Sequence, residues 1–235
     1  MLLLALMIPG VPAFAETTLA PHQAVYKLKV SIAGGRLTTE LVPTADGYIA
    51  THMVKPTGMA KLLSRGRIRE VAEFADAQDG VIPRKYQSTD TLSRDKERVD
   101  VRFDWDTREV RGTFNDAEVI SVLEGPAHDR VSIQYELMHD LLSGSADSQY
   151  IMYEVDKIRT IEIRNVGTKT VKVPAGRFEA VGIQHQAVGS KRITTMWCAE
   201  ELGYLPVIIE QHRLGKLKAR SVLAKYLPLD FSQEQ

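Results

Sequence analysis

Val99-Asp100-Val101-Arg102-Phe103-Asp104-Trp105 alternates apolar and charged side chains without a break. Successive side chains of an extended chain point to opposite faces. This stretch therefore offers Val99, Val101, Phe103 and Trp105 to a core and Asp100, Arg102 and Asp104 to water. Asp106-Thr107 reads as a short turn into a second strand over Glu109–Phe114. The same period recurs on both sides. Ala24, Tyr26, Leu28, Val30 and Ile32 form one stripe, Gly34-Gly35 is expected to turn the chain, and Arg36–Val42 follows. Asp46-Gly47 is a hairpin signal before Tyr48–Val54, because both residue types tolerate positive φ. Later strands are expected over Ile158–Val166, Lys169–Val173, Phe178–His185, Arg192–Cys198, Leu205–His212 and Lys216–Tyr226.

These segments predict a mainly β protein: a strongly curved antiparallel sheet, or an open or closed β-barrel, of about a dozen strands with one or two short helices. Strands that follow strands without helices between them argue against a nucleotide-binding α/β fold. The helical exception is 129–143. Asp129 is a candidate N-cap, Val131, Gln134, Tyr135, Met138, Leu141 and Leu142 share a face, and Ser143-Gly144 ends it. A shorter apolar turn is expected over Gly58–Leu63. The chain is read as one β-rich domain over 16–235, with two lobes, about 23–123 and 149–227, joined by the helical segment.

Residues 1–15 read as an export signal. Met1–Ile8 is apolar, Pro9-Gly10 breaks a helix, and Ala13-Phe14-Ala15 supplies the small-x-small pattern for cleavage after Ala15. The positive charge ahead of the apolar core is the α-amino group alone. No cysteine follows the cleavage point to take a lipid anchor, so the expectation is a periplasmic protein that is not a lipoprotein and has no transmembrane span in its mature chain. Cys198, the sole cysteine, lies in an apolar setting and is expected to be a buried, inert thiol. Lys+Arg and Asp+Glu are both 30 in 235 residues, which gives no basic footprint for nucleic acid.

Templates for chemistry find little. Ser93-Arg94-Asp95-Lys96 matches Ser-x-x-Lys outside any helical pattern. The six histidines, His22, His52, His128, His139, His185 and His212, show no metal-ligand spacing, and on one helix His128 and His139 would stand about 16 Å apart. Asp104 and Asp106 share a strand face and are the one carboxylate pair a glycoside hydrolase would need. A solvated strand end and turn, where Asp is common, is the simpler reading. Glu200-Glu201 reads as turn surface. Arg213, Lys216, Lys218 and Arg220 read as the wet face of a hairpin, a face that suits anionic headgroups as well. No catalytic residue, metal or cofactor is expected.

Several phrases in order resemble bacterial exported proteins of domain-of-unknown-function family 3108. They are Gly58–Leu63, Phe103-Asp104-Trp105, Asp129–Leu137, Val173–Phe178, and Trp197 followed by Gly203–Val207. The likeness spans roughly Ala20 to Leu227 and implies export and a β-rich fold. A looser likeness of architecture is to the periplasmic lipoprotein-carrier fold, an open β-barrel whose curved sheet wraps an apolar cavity. That likeness implies a non-enzymatic protein that holds a lipid or other amphiphilic envelope component. Core or cavity candidates are Phe103, Trp105, Tyr135, Leu141, Trp197 and Tyr204. The alternative is a structural module docking another envelope protein, and a hydrolase is the remaining class.

Overall fold

The computed structural model describes residues 19–155 and 157–231, so the expected signal segment lies outside the described residues. The first half of the chain forms β1 (His22–Val30), β2 (Ala33–Thr44), β3 (Gly47–Thr57), a single-turn helix α1 (Ala60–Leu63), β4 (Ile68–Ala77), β5 (Gly80–Asp90), β6 (Glu97–Asp104), β7 (Glu109–Phe114) and β8 (Ala117–Val122). The helix α2 (Ser132–Ser143) follows. The second half forms β9 (Gln149–Glu154), β10 (Lys157–Val173), β11 (Gly176–Ala187), β12 (Arg192–Ala199), β13 (Leu205–Arg213) and β14 (Lys216–Pro228).

All fourteen strands join one antiparallel sheet, in the order β8-β7-β6-β5-β4-β3-β2-β1-β14-β13-β12-β11-β10-β9. Two meanders meet where β1 pairs β14, with His22 opposite Pro228 and Val30 opposite Ala219. The sheet does not close: β8 and β9 are its edges, and the chain between them carries α2. It curls instead. Phe103 of β6 meets Tyr153 of β9 edge-on, with ring centroids 5.7 Å apart. The edge of β9 is partly occupied by its own connection, where His128 N–H donates to Ile151 O and Tyr153 N–H to His128 O.

The turns depart from the sequence reading at two places. Gly34 and Gly35 lie inside β2, opposite Lys29 and Leu28, and the turn is Ser31-Ile32. Ser31 takes φ 54° there, and Ile32, expected to face the core, is 98% exposed. Gly35 packs so closely on Leu28 that a Cβ would sit 3.2 Å from Leu28 Cδ2, which explains a glycine within a strand. Gly167 does not separate two strands. β10 runs through it, with a bulge between Asn165 and Thr168 opposite Ile183 and Val181. The strands β4, β5, β8 and β9 were not singled out by periodicity.

α2 lies within the curl. Tyr135, in its first turn, is fully buried among Phe74, His52 and His22, at ring distances of 5.4, 6.1 and 6.4 Å. Val131 and Met138 join that main core, while Leu137 packs in a second cluster with Tyr150, Ile183, Met196 and Cys198. The helix begins as its sequence suggests. Asp129 Oδ1 accepts from the N–H groups of Val131 and Ser132 at 2.8 and 2.9 Å, and Ser132 Oγ donates to Asp129 Oδ2 at 2.7 Å. Gly144, in the left-handed region at φ 72°, ends it.

The convex side of the second half has its own packing. Trp197 lies over Gly182, where a Cβ would meet the indole at 2.8 Å, and Lys169 Nζ sits 3.5 Å from the ring centroid. Gly182→Val is expected to displace Trp197, shift its fluorescence to the red and destabilise the protein by about 1–3 kcal/mol, read by thermal melting.

Burial raises the carboxyl of Asp129 to about 6, against the opposing hydrogen bonds from Ser132 and Val131. A folded-state value above the ordinary 3.8 means that this group favours folding fully below pH 3.8 and loses that contribution as pH rises through about 6. Asp129→Asn keeps the acceptor and is expected to flatten stability over that window in urea titrations. Asp129→Ala removes the cap and is expected to cost about 1–2 kcal/mol.

Candidate functional site

In an up-and-down sheet the hairpin turns alternate between its two ends. At one end, the turns between β2 and β3, β4 and β5, β10 and β11, and β12 and β13 close over a packed core that includes Tyr48, Phe74, Val81, Phe178 and Leu205. There the tip of the β10–β11 hairpin reaches across to β14, with Ala175 N–H donating to Leu223 O at 3.2 Å. The other end is open. A cavity of about 960 Å³ lies between α2, the inner face of β3–β6 and the inner face of β9–β13.

Its apolar floor is Ile133 and Leu137 of α2, Ile161 and Ile163 of β10, Met196 of β12 and Ile209 of β13. Two rows of polar side chains cross the walls. On one wall Glu70 stands opposite Ser88, in register with His52 and Thr39. On the other, His185 stands opposite Thr194, and Thr194 opposite Gln211. Tyr86 donates to Glu70 Oε1 at 2.7 Å. Burial lowers His185 to about 4, so this side chain is uncharged at neutral pH.

The mouth is charged on both sides, with different degrees of compensation. Asp90 and Glu97 are cross-strand neighbours on β5 and β6, and Arg192 and Arg213 on β12 and β13. Like charges placed opposite one another destabilise a sheet unless something neutralises them. Asp90 is engaged by the N–H groups of Leu92 and Ser93 at 2.7 and 2.8 Å. Burial opposes the charge of Arg130 and the fields of Tyr86, Glu70, Glu154 and Glu97 outweigh it, and Arg159 pairs with Glu154 at 2.5 Å. Lys191, Arg192 and Arg213 reach the same cavity with no carboxylate within ion-pair distance among the described residues.

On another flank of α2, touching the cavity at Tyr150, lies a buried polar cluster. Glu136 accepts from Val81 N–H at 2.5 Å, and His128 Nε2 is 3.7 Å from its carboxylate. Burial raises Glu136 to about 7 and lowers His128 to about 4, so near pH 6 both are largely neutral and their contact is dipolar. Tyr150 donates to Asp140 Oδ2 and His139 Nδ1 lies 3.5 Å from Asp140 Oδ1. Placed on one helix flank, His128 and His139 each meet a different carboxylate. Among the described residues no cluster has the makings of a metal site.

The sequence-derived candidates fall outside the cavity lining. Phe103 and Trp105 stack on each other at 6.0 Å, and the indole Nε1 donates to Pro83 O at 2.7 Å. Tyr135 faces the main core, Trp197 the convex side, and Tyr204 borders both apolar clusters. Leu141 lies one turn beyond Leu137 in the second cluster. Asp104 Oδ1 accepts from the N–H groups of Asp106 and Thr107 at 3.1 and 3.0 Å, so this carboxylate caps a turn. Those bonds hold its pKa below the ordinary range. Ser93 Oγ donates to Asp90 within another turn. Cys198 is buried, and burial pushes its thiol up to about 12.

No curated protein matches the sequence. Among solved structures, a beta-barrel-like protein of domain of unknown function DUF1849 from Brucella abortus superposes with a TM-score of 0.58. It is 12% identical, and the match covers 90% of this chain and 99% of that one, which shows a shared fold. A protein with a YmcC-like fold from Bacteroides fragilis, also 12% identical, covers 87% of this chain and 94% of its own at a TM-score of 0.34. The fold likeness rests on the Brucella protein. The family of proteins of unknown function DUF3108 matches residues 23–219, from β1 into β14, and the chain belongs to that family.

Proposed function

We propose that this protein is a non-enzymatic binding protein of the bacterial envelope that holds one amphiphilic molecule in the open end of its curled sheet. The observation that carries the reading is the cavity of about 960 Å³, apolar at its floor and charged at its mouth. Its size falls at the upper end of small-molecule sites, roughly 300–1,000 Å³. Ile133, Leu137, Ile163 and Ile209 suit an acyl or other hydrocarbon chain. Glu70, Ser88, Thr194 and Gln211 suit polar atoms partway along it. Lys191, Arg192 and Arg213 suit an anionic head. A periplasmic setting is supported by the reading of residues 1–15 as an export signal.

Native mass spectrometry of protein purified without detergent is expected to show a bound species in the mass range of a lipid. A fluorescent fatty-acid analogue is expected to be taken up in competition with it. Ile209→Trp, which fills the floor from a half-buried position, is expected to weaken uptake at least tenfold while the melting temperature changes by a few degrees. Protein free of any amphiphile, with no uptake of the analogue, would sink the proposal.

A further inference from the structure

The end at which the cavity opens is also where the molecule exposes its apolar side chains. Ile32, Met59, Leu62, Leu63 and Leu214 are the five most exposed large apolar residues described, each between 69% and 98% exposed. They sit on three different hairpin tips. Ile32 is on the β1–β2 turn, Met59 to Leu63 on the β3–β4 connection with α1, and Leu214 on the β13–β14 turn.

The strand order makes these tips consecutive. The sheet runs β4-β3-β2-β1-β14-β13-β12-β11, so the β3–β4, β1–β2, β13–β14 and β11–β12 turns follow one another around the rim. Backbone contacts tie them together. Gly34 pairs Thr57, Ser31 N–H donates to Lys218 O at 3.1 Å, and Leu214 N–H donates to Lys191 O at 3.3 Å. The fourth tip adds Val188, also exposed.

Charge is segregated to the same arc. Segments 29–36, 55–69, 188–192 and 213–218 carry twelve Lys or Arg and no Asp or Glu, in a chain whose formal net charge is zero. All twelve cations are exposed, and among the described residues none lies within ion-pair distance of a carboxylate. Packing explains none of this, since α1 buries no residue at all. Scattered apolar side chains on a surface mean little, but a contiguous apolar crest set among uncompensated cations has the composition of a bilayer-facing surface.

We infer that this rim docks on an anionic lipid bilayer, with Met59, Leu62, Leu63, Ile32 and Leu214 entering the headgroup boundary and the surrounding Lys and Arg meeting lipid phosphates. The docked orientation turns the cavity mouth toward the membrane. The inference stands on surface residues that do not line the cavity floor, so vesicle binding and ligand uptake fail or succeed separately.

Vesicle flotation tests it. The full chain is expected to float with phosphatidylcholine vesicles containing about one quarter phosphatidylglycerol and to stay behind with phosphatidylcholine alone. Raising salt from about 0.1 to about 0.5 M is expected to weaken the association, because screening shortens the reach of exposed charges. The double variant Leu62→Asp with Leu63→Asp is expected to lose at least about tenfold in bound fraction without a change in melting temperature, since both side chains are exposed. Ile82→Asp, at the packed end, is expected to bind as the parent does. In a Leu62→Trp variant the emission is expected to move to the blue on anionic vesicles. Absence of flotation, equal flotation with neutral vesicles, or an unaffected double variant would each overturn the inference.

Discussion

The structure depends on one constraint: a long antiparallel sheet with an apolar face must cover that face, and here the cover is a helix drawn from its own connection. Fourteen strands supply more concave surface than they can bury against each other. α2 fills the concavity at its middle, sending Tyr135 and Met138 into the main core and Leu137 into a second cluster. Apart from its C-terminus and the flank that lines the cavity, such a helix is enclosed. That explains why it buries His139, Asp140 and Ser132 along with its apolar residues, and why each of its carboxylates has a donor waiting on a neighbouring element.

Placing a twelve-residue helix inside a sheet with strands of up to seventeen residues divides the molecule into unequal ends. The end that carries the β4–β5 and β10–β11 turns is filled with aromatic and branched side chains. The other end keeps its volume, its polar rows and its unmatched cations. The cavity and the exposed apolar crest therefore share one rim, while the packed end supplies the stability. The convex Trp197 patch belongs to the second task, holding the long β10–β11 hairpin against the rest of the sheet.

Where a strand has one wet face and one buried face, its sequence says so. Val99–Trp105 and Ala24–Leu28 read directly, and Asp129 announces the helix that it caps. The strands that escaped are those whose inward residues are polar. In β4 the inward series Ile68, Glu70, Ala72, Phe74 is interrupted by Glu70, and in β5 Ser88 does the same, because both line the cavity. β8 and β9 are edges, and their short spans alternate weakly. The cavity residues were hidden for a related reason. Ile133, Met196 and Ile209 look like any core residue in sequence, and only the path of the curl decides which inward stripes meet a partner and which face open space. The aromatic candidates were chosen for size, and size is what took Phe103, Tyr135 and Trp197 into packed positions.

Magnitude decides whether the cavity is a packing defect. Sealed apolar voids destabilise proteins by about 24 cal/mol per Å³, so about 960 Å³ of dry void would cost about 23 kcal/mol. Domains are stable by only about 5–15 kcal/mol. No fold of this size could carry that loss, so the space must be in contact with solvent or occupied. The lining agrees, since Glu70, Ser88, Thr194 and Gln211 would be poor walls for a dry void and ordinary ones for a wet or filled site. A closed barrel offers no better arrangement: about eight strands let side chains fill the lumen, whereas fourteen would leave a channel through the molecule. Curling the sheet and inserting α2 blocks that channel at one end and leaves a dead-ended cavity at the other.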